Sequence, residues 1–127
     1  MTPDEFINAT LGKVTWKKYA ADWQCMDCFG LVDMFFRHVH GIRVTWAADL
    51  ADYAAHGWQQ VPEPVANSVA FMTWRDGVPT HCGVCLGRGM LLHCDGNETN
   101  PGGVRINSIE AVQKLYGEIR FYAYHPA

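Results

Sequence analysis

Asp27-Cys28-Phe29-Gly30-Leu31-Val32, with the apolar run behind it to Val39, decides how this chain is read. Val32, Phe35, Phe36 and Val39 recur at i, i+3, i+4 and i+7, the signature of a helix with one face in a core. Asp27 has the short acceptor side chain of an N-cap, and Gly41 supplies a C′ stop. Cys28 then falls in the first helical turn. Unpaired backbone N–H groups and the positive end of the macrodipole favour a thiolate there. A cysteine in such a place can have its pKa lowered from about 8.5 into the range of about 3.5–7.5. The thiolate is the reactive form, so Cys28 is a candidate nucleophile. The alternative is a small, inert core side chain.

The length of 127 residues fits a single domain, residues 1–127, whose core needs no disulfide staples. Hydrophobic residues make up 49% of the chain, which excludes disorder. A net charge of −3 leaves no electrostatic footprint for nucleic acid. No run reaches the roughly 18 apolar residues of a membrane span. Asp4 and Glu5 stand where a secretory signal would be basic, so synthesis in a bacterial cytoplasm with reduced thiols is expected. Five cysteines, an odd number, do not make a complete disulfide framework.

Working outward, Thr2-Pro3-Asp4-Glu5 fits a capping box that starts a helix running to about Leu11, with Gly12 to end it. Lys13 to Gln24 reads as a loop carrying Trp16, Tyr19 and Trp23. A third helix is expected from about Trp46 to His56. Pro62 and Pro64 mark a change from helix to strand. Strands follow at Ser68–Trp74, Thr80–Leu86 and Met90–Cys94, joined by turn signals at Arg75-Asp76-Gly77 and Gly87-Arg88-Gly89. A short strand at Val104–Ile106, a helix at Ser108–Tyr116 and a strand at Ile119–Tyr124 complete the chain. Helices first and hairpin-linked strands after give an α+β fold, with N-terminal helices packed on an antiparallel β-sheet.

A thiolate nucleophile needs a base for its proton, and the base needs a group to orient it. His81 opens one strand of a hairpin and His93 closes the other, each six residues from Gly87. The outer ends of an antiparallel pair return to the same edge, so the two rings can meet. The alternative is that both imidazoles cap strands structurally.

Together these residues resemble the NlpC/P60 family of papain-like cysteine peptidases, which cut peptidoglycan stem peptides. Asp27-Cys28-Phe29-Gly30-Leu31 is similar to the family's Asp-Cys-Ser-Gly-Leu nucleophile motif. His81-Cys82-Gly83-Val84-Cys85-Leu86-Gly87 is similar to its His-Val-Gly-Ile-Tyr-Leu-Gly strand, and Met90–His93 to the strand of the third catalytic residue. The resemblance covers about Gly12 to Tyr124. It implies Cys28 as nucleophile, His81 as base and His93 as orienting residue, with no metal or other cofactor. The aromatic Phe29 after the nucleophile is most similar to the phage tail-assembly branch, whose members resemble the peptidase domain of tail-tip proteins. Two departures stand out. Phe29 replaces the usual serine, a change of packing. Trp16 stands where the family often has a tyrosine near the oxyanion site, and an indole donates a hydrogen bond but accepts none. Trp16 and Asp27 are therefore the candidate oxyanion or substrate-binding residues.

The resemblance implies hydrolysis of peptidoglycan stem peptides, at the bond from D-glutamate to the diamino acid. A cell-wall substrate without a signal peptide needs a delivery route. A virion tail acting on the host cell wall or periplasm is one, with tail-tip proteins as partners. A toxin delivered by a secretion system, with an immunity partner, is another. A non-catalytic tail-assembly domain is a third reading. Cys25-x-x-Cys28 and Cys82-x-x-Cys85 also form a CxxC…CxxC pair that could bind zinc. Against zinc, residues three apart on a strand point to opposite faces, and 53 residues separate the pairs. A thioredoxin-like redox site would need a strand directly before its CxxC, and Lys13–Gln24 offers none. The remaining cysteines, Cys25, Cys82, Cys85 and Cys94, read as packing residues.

Overall fold

Thr2 opens the chain with the expected capping box: its hydroxyl accepts from Glu5 N–H at 3.1 Å, while Glu5 Oε1 accepts from Thr2 N–H at 2.9 Å. Helix α1 (Pro3–Thr10) buries Phe6 completely and gives way at Leu11. Helix α2 (Cys28–Phe35) is capped by Asp27, whose Oδ1 accepts from Gly30 N–H at 2.6 Å. A cap of this kind contributes about 1 kcal/mol. Val32, Phe35 and Phe36 are buried as the periodicity predicts, and so are Leu31 and Met34. The helix is therefore surrounded by core rather than laid on it. It closes in a π-helical turn, Phe36–His40, and Gly41 ends it at φ 68°. The structure, a computed structural model, describes residues 1–45 and 52–125.

The described residues form eight strands: β1 (Thr15–Trp16), β2 (Cys25–Met26), β3 (Trp58–Val61), β4 (Val69–Arg75), β5 (Val78–Gly87), β6 (Met90–Asp95), β7 (Gly103–Ser108) and β8 (Glu118–Tyr124). They lie in one sheet in the order β2-β1-β7-β6-β5-β4-β8-β3. All neighbours are antiparallel except β1 and β2. Helix α3 (Ile109–Tyr116), capped by Ser108, links β7 to β8. Asp76 and Gly77 turn the β4–β5 hairpin, and Arg88 and Gly89 the β5–β6 hairpin, all with positive φ. That conformation matches the right-handed twist of the flanking strands.

The alternation of side chains divides β4, β5 and β6 between two layers. Cys82, Val84, Leu92 and Cys94 face α2 and the main core, whereas Phe71, Cys85 and Leu91 pack with Val112 of α3. The fold is thus mixed, with α2 on β5 and β6, and α3 against β4, β7 and β8.

Three expectations need correction. Lys13–Gln24 is not all loop, because β1 lies within it. The strands β2 and β3 also went unpredicted. Two residues are too few to show a period, and Trp58–Val61 is an edge strand with a single alternation before Pro62. Of the expected third helix, residues 46–51 lie outside the described residues, Ala54–His56 is a 3₁₀ turn, and Gly57 ends it at φ 90°. Trp58 and Trp74 are in the core.

Gly30 is where α2 meets the loop after β1 most closely. A Cβ added there would stand 2.0 Å from the Ala20 carbonyl oxygen and 3.2 Å from the Ala21 Cα, both backbone. Gly30→Ala is expected to lose about 2–3 kcal/mol, the usual scale of overpacking. Urea unfolding should show a lower midpoint at unchanged slope.

Candidate active site

Cys28 is the first residue of α2, and Asp27 fixes the approach to it. One carboxylate oxygen of Asp27 caps the helix at Gly30. The other accepts from Tyr19 N–H at 2.7 Å, and Asp27 N–H donates to Ala20 O at 3.1 Å. Residues 19–20 are thereby tied to the end of the helix that carries the thiol. Burial pushes the Asp27 pKa up, while the two N–H donors pull it down.

The five cysteines are free, but their thiols differ in character. The Cys28 pKa is held well below the ordinary thiol value. A hydrogen bond from the Cys82 thiol is the largest cause, and the His81 imidazole adds to it against burial. Cys82 moves the opposite way, well up, because it keeps its proton beside Cys28 and is fully buried. Burial pushes Cys85 and Cys94 up to about 12. Cys94 also donates to Met26 O at 3.2 Å. The helix N-terminus, a neutral thiol and an imidazole thus converge on Cys28 and favour its thiolate form.

His81 and His93 meet. His81 Nε2 and His93 Nδ1 are 2.9 Å apart, and the rings cross at 87° with centroids 5.0 Å apart. The pairing is not the symmetric one expected about Gly87. A register shift between Cys85 and Gly87 sets Val84 opposite Leu92, which places the two histidines on a diagonal of the same face. Gly83 makes this possible, since a Cβ there would lie 2.5 Å from the Phe71 ring and 2.4 Å from Leu92 O. On β7, Asn107 Oδ1 lies 2.8 Å from His93 Nε2. With the amide oxygen toward the ring, His93 Nε2 must donate, so its Nδ1 accepts the Nε2–H of His81. The nitrogen left to His81 is Nδ1, free to exchange a proton with Cys28. Burial, and secondarily the charge of His81, lowers the His93 pKa. A neutral His93 is the form that can accept.

Cys28 and His81 open into a cleft of about 270 Å³. Trp16, Lys18 and Tyr19 form one wall; Thr80 and Tyr116 stand on the other, with Asp95 and Gly96 beside them. Tyr19 is 84% exposed on the rim, at φ 65°, which accounts for an aromatic side chain in that loop. A second, apolar groove at Val61, Pro62, Val69 and Ala123 contains none of these groups.

All five residues singled out by sequence, Cys28, His81, His93, Trp16 and Asp27, are near this cleft, with His93 buried one step behind it. Sequence reasoning missed Asn107, Tyr116 and the role of Cys82. Asn107 had a weak signal, a polar side chain just before the Ser108 cap. Cys82 had none beyond its neighbour His81. The two CxxC pairs do not assemble, since Cys82 and Cys85 belong to cores on opposite faces of the sheet. Among the described residues no group of three or more His, Cys, Asp or Glu side chains is arranged to hold a metal.

No family model matches the sequence, and no curated protein does. Among solved structures, the NlpC/p60 domain of the peptidoglycan hydrolase SagA is similar, with a TM-score of 0.67 and 16% identity. The match covers 96% of this chain and 94% of that one. At that identity the likeness is one of fold.

Alkylation of Cys28 by iodoacetamide, followed by peptide mass spectrometry, should show an inflection well below the about 8.5 of a free thiol. Cys82→Val removes the hydrogen-bonding thiol and should move the inflection upward. An inflection at the free-thiol value in the wild type would refute the pairing.

The lowered His93 pKa has a stability consequence. The unfolded imidazole takes up a proton below about 6.5 while the folded ring stays neutral. His93 therefore contributes stability above that pH, and the contribution is lost as pH falls through the folded value. Unfolding free energies between pH 8 and 5 should fall more steeply for the wild type than for His93→Asn.

Proposed function

We propose that this protein is a cysteine peptidase that hydrolyses the peptide stems of peptidoglycan. The observation that carries the reading is the hydrogen-bonded line His81–His93–Asn107, with His81 and Cys28 lining one cleft. Its fold, shared with the NlpC/p60 domain of a peptidoglycan hydrolase, supports the choice of substrate.

In this reaction the Cys28 thiolate attacks the carbonyl carbon of the scissile amide. The oxyanion that develops is met by the backbone N–H of Cys28, with the Trp16 indole N–H as second donor. His81 Nδ1 carries the proton and delivers it to the leaving amine, so the C–N bond breaks and a thioester remains. Water then enters, gives a proton to His81 and its oxygen to the acyl carbon. The carboxylic acid leaves, and Cys28 and His81 return to their starting forms. His93 accepts the His81 Nε2–H throughout and holds one tautomer, and Asn107 does the same for His93. Asp27 acts by fixing residues 19–20 against the helix end, which shapes the substrate wall.

The bond from D-glutamate to the diamino acid is the proposed target, resting on the motif resemblance. Carriage in a phage tail, with tail-tip proteins as partners and the host wall as site of action, rests on the aromatic Phe29 after the nucleophile.

Purified protein should release shortened stem peptides from peptidoglycan fragments and leave the glycan strands intact. Release of whole lactyl-linked stems would instead show an amidase. Cys28→Ala should abolish turnover with an unchanged circular dichroism spectrum. His93→Asn, which keeps an acceptor, should retain measurable activity. His93→Leu should lose about 10²–10⁴ in kcat, by analogy with other triads that lose the orienting group. Full activity in a folded His93→Leu variant would leave a Cys28–His81 dyad.

A further inference from the structure

We infer that Tyr116 is a positioning residue for the base: its ring clamps His81 in the plane that points Nδ1 at Cys28 and shields the His81–His93 hydrogen bond from water. The inference rests on the cysteine-peptidase reading and assigns a part to a residue outside the Cys–His–His set.

The two rings are stacked, with centroids 4.1 Å apart and planes inclined by 18°. Among the described residues no other aromatic contact of His81 is parallel. Phe71 lies at 6.1 Å and 59°, and His93 meets it edge-on. His81 is consequently 4% exposed although it borders the open cleft. An imidazole that turned about its Cβ–Cγ bond would exchange Nδ1 for a carbon and break the contacts with Cys28 and His93 together. Stacking on Tyr116 and the hydrogen bond to His93 oppose that turn.

Tyr116 is itself held from both ends. Its hydroxyl donates to Asp95 Oδ2 at 3.1 Å, and Asp95 Oδ1 is paired with Arg105 Nε at 3.1 Å. Its carbonyl accepts from Thr80 Oγ1 at 2.6 Å, so the residue next to His81 is tied to the residue stacked on it. Gly117 then turns at φ 121°, where a Cβ would lie 2.2 Å from Trp74 O, and seats the end of α3 on β4. Burial and the Asp95 carboxylate push the phenol up to about 12, so it stays a neutral donor across the working range.

The test compares Tyr116→Leu and Tyr116→Phe on a soluble stem peptide, with Cys28 alkylation against pH as a readout that needs no substrate. Tyr116→Leu should lower kcat roughly 10²-fold, the scale expected when a reacting group is misplaced. KM should change little, and the alkylation inflection should move up. Tyr116→Phe, which keeps the stack, should recover most of the loss. A folded Tyr116→Leu with wild-type kcat and wild-type alkylation profile overturns the inference. So does a loss confined to KM, which would assign Tyr116 to substrate binding. If the wild type cleaves no stem peptide but Tyr116→Leu still shifts the alkylation profile, the substrate reading falls and the positioning role stands. Should Tyr116→Leu not fold, nuclear Overhauser contacts between the two rings in the wild type decide the matter: their presence supports the clamp and their absence refutes it.

Discussion

Two imidazoles buried side by side constrain much of this structure. Among the described residues neither His81 nor His93 is hydrogen-bonded to a carboxylate, and both rings are buried, where an unpaired ring nitrogen is costly. The solution is a line of hydrogen bonds crossing three strands, from β5 to β6 to β7, with each nitrogen assigned a single role. That line requires the shifted register of the β5–β6 hairpin, a glycine at position 83 and an amide at position 107. The partner of His93 on β7 is a neutral amide, while the Asp95 carboxylate acts to raise the His93 pKa without bonding to the ring.

The cysteines show how far one residue type can be driven by its surroundings. Cys85 and Cys94 lie in apolar packing and hold their protons up to about 12. Cys28 is separated from Cys82 only by the seam between α2 and β5, yet the two are driven in opposite directions. A thiol that keeps its proton is a hydrogen-bond donor to one that has lost it. The helix N-terminus and His81 decide which of the two that is.

A tier of supports stands around the line. Asp27 and Gly30 lock residues 19–21 against the start of α2, and so fix one wall of the cleft. Thr80, Tyr116, Asp95 and Arg105 fix the wall behind it. The cleft between these walls is small, and its lining comes from residues 16–28, 80–81, 94–96 and 116. Its shape therefore depends on the whole sheet being correctly ordered.

The sequence alone determined the elements with strong local signals. The capping box at Thr2, the α2 helix with Asp27 and Gly41 at its ends, and the two hairpins with positive-φ turns were all legible, because each depends on residues within a few positions of one another. The place of Cys28 at a helix start, and of His81 and His93 on the two strands of one hairpin, was legible for a related reason, since these elements follow from local signals. Only the tertiary structure decided the rest. The two-residue strands β1 and β2 exist through their pairing with partners far along the chain, and β3 through its seat on β8. The diagonal meeting of His81 and His93 follows from a bulge that no spacing rule contains. Asn107, Tyr116 and Cys82 reach the site only after β7, α3 and α2 have packed onto the sheet. Hydrogen bonds and ring stacking act over a few ångströms in space, and the residues that make them here are dozens of positions apart in the chain.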